Sequence, residues 1–186
     1  MSNASTYLGG GAAIKSVQRG TTLTKVASTP VTVSAVDVSR SVVRLTDAML
    51  TSTGTGNWSN LYVELTNSTT VTVYNTTGHT YSVEGSATWE LVEYAPPIKS
   101  IQNVSRSMLS VAVEGYQDVA ISAVDPAKSI VEYRGITGVG MSSKAAAVYK
   151  ISAALTSATN LRVFNRSDKA GTAIFPTAYF TIVEFF

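Results

Sequence analysis

Cysteine is absent from this chain and histidine occurs once, as His79. Without thiols there is neither a disulfide framework nor a thiolate metal site. A single imidazole leaves any transition-metal site to carboxylates, and the acidic residues show no EF-hand-type spacing, so neither a metal nor a cofactor is expected. A Ser-His-Asp arrangement would need His79, which stands in the turn-rich stretch NTTGHTYS, and no G-x-S-x-G elbow accompanies it. Glycoside hydrolysis needs only two carboxylates. Glu64, Glu90 and Glu93 lie on expected strands, but only Glu93 has a matched partner later in the chain, Glu184. An outward-facing Glu on an edge strand, discouraging stray strand pairing, accounts for that pair. No catalytic residue is assigned, and the chain is read as non-enzymatic.

Charge is scarce as well. Charged residues make up 14% of the 186, the net charge is +2 and no basic run occurs, so the electrostatic footprint of a nucleic-acid binder is missing. No stretch approaches the ~18 apolar residues of a membrane span, and no charged-then-apolar leader opens the chain. A soluble protein without membrane or nucleic-acid partners follows. The polar opening and the Gly9–Gly11 run read as a flexible arm over residues 1–12.

What is present is a hydrophobic content of 45%, enough for a core. Ser and Thr fill about a quarter of the chain while Leu, Glu and Lys are few, which favours strands and turns over helices. The expected class is all-β.

The chain is also written twice. SAVDVSRSVV (Ser34 to Val43) is matched by SAVDPAKSIV (Ser122 to Val131), and AIKSVQ (from Ala13) by PIKSIQ (from Pro97). TVTVYN ending at Asn75 is matched by NLRVFN ending at Asn165, and ATWELVEY (Ala87 to Tyr94) by AYFTIVEF (Ala178 to Phe185). The blocks keep their order while their spacing widens from 84 to 91 residues, as loop insertions between conserved strands produce. Two antiparallel β-sandwich or barrel domains of about 85–90 residues are expected, over 13–95 and 96–186, with the Pro96-Pro97 pair at the junction.

Thr29–Val36, Ser41–Leu45, Leu61–Leu65, Thr69–Asn75 and Ala87–Tyr94 alternate or run β-branched between turn-forming clusters, giving five or six strands per copy. Asp37 and Asp125, the latter followed by Pro126, read as caps of a type I turn in a hairpin, with Arg40 and Lys128 solvated at its exit. The repeated stretch is thus scaffold. Six Asn-x-Ser/Thr sequons, at Asn3, Asn57, Asn67, Asn75, Asn103 and Asn165, matter only in a glycosylating pathway.

Among the aromatics, Trp89 matches Phe180 and is read as core. Trp58, with Tyr62 nearby, and His79 are candidate residues for loop recognition of carbohydrate. The ending AYFTIVEFF is apolar on both faces. Val92, Tyr94, Val183, Phe185 and Phe186 are therefore candidate assembly residues, covered by the other copy or by neighbouring subunits.

At IKSVQRGTTL, SAVDVSRSVV, LYVELTNSTTVTVYN and ATWELVEY the chain resembles small β-rich virion proteins of tailed bacteriophages. The second copy departs from that pattern at NVSRSML, where the Arg-Gly is lost. The resemblance implies localisation to the virion, in a decoration or stabilising protein on the outside of the head or, second to that, the tail. Its partners would be further copies of itself, a trimer for example, and the major capsid or tail proteins. The alternative is a tail-associated module that binds host-surface carbohydrate.

Overall fold

The computed structural model describes residues 14–51, 61–75, 84–107, 115–137, 151–165 and 177–186. Twelve strands run through them: β1 (Ile14–Thr24), β2 (Ser28–Thr32), β3 (Ser41–Thr51), β4 (Leu61–Asn67), β5 (Thr70–Asn75), β6 (Glu84–Tyr94), β7 (Ile98–Ser107), β8 (Tyr116–Ala120), β9 (Ser129–Thr137), β10 (Ile151–Ser157), β11 (Asn160–Asn165) and β12 (Thr177–Phe185). Every pairing is antiparallel. The all-β expectation holds, and the described residues contain no α-helix.

The strands form three sheets, ordered β1-β6-β3, β10-β11-β8 and β2-β5-β4-β9-β12-β7. The last crosses the Pro96-Pro97 junction: β2-β5-β4 is joined to β9-β12-β7 through the pair Tyr62 with Gly135. One sheet therefore contains strands from both sides of the junction.

Alternation explains the layers. Leu61, Val63, Val71 and Val73 point from β4 and β5 toward Ala87, Trp89 and Leu91 of β6, forming one core. Leu161 and Val163 of β11 meet Ala178, Phe180 and Ile182 of β12 in a second. The other faces of β6 and β12 form a third: Val42, Val92 and Tyr94 pack with Val183 and Phe185, rimmed by Val17, Ile98, Ile101 and Ile130. Tyr94 and Phe185 meet edge to face at 5.4 Å. Four of the five candidate assembly residues thus cover one another inside the chain, while Phe186 is 58% exposed.

Trp89 lies in the core as expected, its indole N–H donating to Thr22 Oγ1 at 3.0 Å. Its cross-strand neighbour is Gly20, where a Cβ would stand 2.5 Å from the indole. At the matching pair on β12 and β7 a smaller Phe180 faces a larger Val104. Trp with Gly and Phe with Val fill similar space, as close packing requires.

Three local expectations change. The run expected over Thr29–Val36 is a shorter strand, Ser28–Thr32, followed by backbone that still bonds the β4–β5 turn through Val33 and Val36 N–H. The stretches at Asp37 and Asp125 are not hairpins: β2 pairs with β5 while β3 pairs with β6, so each stretch carries the chain from one sheet to the other. Each does contain the Asp-capped tight turn, over Val38–Arg40 and Pro126–Lys128. Arg40 is not simply solvated but folds back onto Asp37 at 2.8 Å; Lys128 is exposed.

Gly135 has φ +131°, and a Cβ there would lie 2.2 Å from the Leu61 carbonyl oxygen. Both the left-handed backbone and the close approach of β4 to β9 demand glycine. Gly135→Ala is expected to cost roughly 3 kcal/mol or more, read as an earlier midpoint in urea unfolding. Gly20→Ala, which meets a side chain and not backbone and needs no left-handed φ, should cost less.

Candidate functional site

The repeated motifs converge on two buried carboxylates. Glu93, on the central strand β6, accepts from Lys15 Nζ at 2.8 Å, Ser16 Oγ at 3.1 Å and the Asp37 backbone N–H at 3.1 Å. Glu184, on the central strand β12, accepts from Lys99 Nζ at 2.8 Å, Ser100 Oγ at 3.2 Å and the Asp125 N–H at 2.8 Å. Both are almost fully buried. They are thus central and inward, not the outward-facing edge residues expected, because three donors each offset the cost of burial.

A second tie accompanies each. Gln18 donates from Nε2 to Ser34 O and accepts from Ser34 N–H, at 2.9 and 2.7 Å, so a side-chain amide stands in for a neighbouring strand. Gln102 does the same to Ser122, at 3.1 and 3.0 Å. Asp37 accepts from Ser39 N–H, Asp125 accepts from Ala127 N–H, and Ser41 and Ser129 donate to the carbonyls of Asp37 and Asp125. Lys-Ser-x-Gln, Ser-Ala-Val-Asp and the Glu of the closing strand form one clamp, made twice.

The other acidic candidates are also held. Glu90 pairs with Arg19 and Arg44, and Glu64 lies 3.8 Å from Arg134. Among the described residues no three His, Asp or Glu side chains come together as metal ligands.

Tyr62 occupies a different setting. Across the six-stranded sheet one row reads Ser28, Tyr74, Tyr62, Gly135, Tyr179, Ser105. Because Gly135 has no side chain, Tyr62 and Tyr179 reach over it and stack at 4.2 Å, although a whole strand separates theirs. Tyr74 stacks on the far side of Tyr62 at 4.4 Å. Burial, with its tyrosine neighbours, pushes the Tyr62 hydroxyl up to about 12, so it remains a proton donor at neutral pH. Beneath the row Arg134 is buried, its Nε without a hydrogen-bond partner and its guanidinium 6.0 Å from the Tyr179 ring. Burial lowers its pKa, against the pull of Glu64.

All three tyrosines are half-buried. Tyr62 is stacked on both sides, while the outer neighbours at the two ends of the row are small serines, Ser28 beside Tyr74 and Ser105 beside Tyr179. Trp58 and His79, the other recognition candidates, lie outside the described residues, as does the arm over residues 1–12. Sequence reasoning missed Arg134 and the role of Gly135, whose Arg-Gly step inside a β-branched run was the available signal of a bulge.

No family model matches the chain, and no curated protein or solved structure is significantly similar to it.

Lys15 above all, with the Asp37 N–H and Ser16, holds the Glu93 carboxyl below the usual glutamate value of 4.5. At Glu184 burial pushes upward, and Lys99, the Asp125 N–H and Ser100 outweigh it, so its pKa is lowered too. A lowered folded-state pKa contributes stability that is complete above the unfolded value and is lost as pH falls through the folded one. The doubly substituted Glu93→Gln/Glu184→Gln protein should be less stable at pH 7 and show a flatter loss of melting temperature below pH 4.5, measured by calorimetry across pH.

Proposed function

We propose that this chain is a non-enzymatic structural protein of a tailed-phage particle, built as a tandem duplication of one β-sandwich unit and bound to the outside of the head, with the tail as second placement. The observation that carries the reading is the doubled clamp: three of the four motifs shared by the two copies are used to fix a strand to a sheet-crossing turn. Repeated side chains spent on holding backbone fit a rigid repeated part, and a particle lattice makes modest contacts effective through their number. The resemblance of the clamp motifs to small virion proteins gives the reading its setting. A trimer, with six similar units, would suit pseudo-hexameric surroundings.

A second reading, a tail-associated module for host-surface carbohydrate, is favoured by the tyrosine row, whose end residues Tyr74 and Tyr179 stand beside small serines. Flat aromatic surface beside hydroxyl and charged groups is what sugar rings stack on.

Antibody-gold labelling of particles from the source lysate, viewed by electron microscopy, tests the first reading. Uniform labelling of heads is expected, labelling of tail tips alone would move the protein to the second reading, and unlabelled particles would remove both. For the second reading, soluble glycans should bind saturably to the native chain and at least about tenfold more weakly to Tyr74→Ala. Equal binding by both, or none, excludes the row as a glycan site.

A further inference from the structure

The third core joins faces that the internal repeat makes equivalent. Val42 matches Ile130, Val92 matches Val183, Tyr94 matches Phe185 and Val17 matches Ile101, and all eight lie in that one cluster. An apolar surface that meets its own equivalent is the pattern of a two-fold interface. By its apolar residues alone, the face of the first copy would suit a second first copy as well as it suits the second.

The polar residues there are not equivalent. Arg44 of β3 and Glu132 of β9 hold the same place in the repeat, yet they differ in charge and pair with each other at 3.0 Å. Arg44 also donates to Glu90, which binds Arg19 in turn. Where Glu90 and Arg19 stand in the first copy, the second has Thr181 and Asn103, which share a neutral hydrogen bond of 2.7 Å. Like-with-like pairing would set Arg44 against Arg44, each keeping its own Glu90 but losing the Glu132 carboxylate, or Glu132 against Glu132 with no cation at the matched positions. Opposed like charges at an interface disfavour it strongly, while a paired and desolvated ion pair adds little net adhesion.

We infer that the apolar cluster supplies the adhesion and the Arg44–Glu132 difference supplies the choice of partner: the inner face of each copy is specified for the other copy of the same chain and against a second copy of itself. The face is then closed within one molecule, and contacts with further subunits fall on the outer sheets. The inference rests on the internal repeat and not on the placement in a phage particle, so it stands or falls apart from the labelling result.

Two measurements test it. In a double-mutant cycle of Arg44→Gln and Glu132→Gln in the full chain, followed by urea unfolding, losing Glu132 should lower the folding constant about fivefold more when Arg44 is present than when it is not. Additive effects would overturn the inference. In the second, a protease site replaces Pro96, the folded chain is cut there, and isotope-labelled and unlabelled material are mixed and weighed by native mass spectrometry. Pairs of one first and one second copy are expected throughout. Like-with-like pairs, or copies that separate at micromolar concentration, would overturn it.

Discussion

A carboxylate buried on a central strand has to be fully compensated, and much of this fold follows from meeting that requirement twice. Glu93 and Glu184 each need about three donors to stay charged in the interior. The lysine and serine come from the neighbouring strand, β1 or β7, and the third donor is the N–H at the start of the tight turn. That N–H can reach the carboxylate only if the preceding segment leaves its own sheet and crosses the sandwich. The glutamine that binds Ser34 or Ser122 supports the segment where no strand lies beside it. The sheet-crossing turn and the buried acid are therefore one device, and neither is satisfied without the other.

This explains why some of the fold was legible in sequence and some was not. Strands such as Leu61–Asn67 and Glu84–Tyr94 announce themselves because alternation reflects burial, and burial is set residue by residue. The repeat was legible because the clamp fixes side-chain identity: at Lys15, Ser16, Gln18, Asp37 and Glu93, hydrophobicity alone would not do. The direction of the chain after each motif was not legible. A capped tight turn has the same local sequence whether it closes a hairpin or crosses between sheets, and the partner that decides lies 56 residues away at Glu93. The joining of β4 to β9 was hidden for a similar reason. It depends on a glycine whose left-handed backbone answers to Leu61 and Tyr62, distant in sequence.

Legibility of the candidate sites differed in the same way. Two-sided apolar character in the closing strands marked Val92, Tyr94, Val183 and Phe185 as residues in need of cover, since both faces of a strand cannot be apolar and wet. Sequence could not say which surface supplies the cover, because equivalent residues suit one another equally in one molecule or two. The charged positions carry that information, and they differ between the copies where the apolar ones agree.

Closing those faces changes where outside contacts can form. With the inner faces of β6 and β12 covered, the large apolar side chains left exposed among the described residues are Ile14, Leu23, Val26, Val38, Tyr116 and Phe186. Several of them lie near strand ends and turns, not on one broad face. Tyr116 is already dressed by Arg162, stacked at 3.9 Å and held by Asp118 at 2.7 Å. Binding through such points is weak one contact at a time. It becomes effective when rigid copies meet a repeating surface, because each added contact is then made without a new loss of translational freedom. Rigidity in turn is what the two clamps, the shared apolar cluster and the tyrosine row across the seam provide. The internal architecture thus suits the proposed many-point attachment: strong interactions lie within the chain, and modest contacts would be what a repeating surface meets.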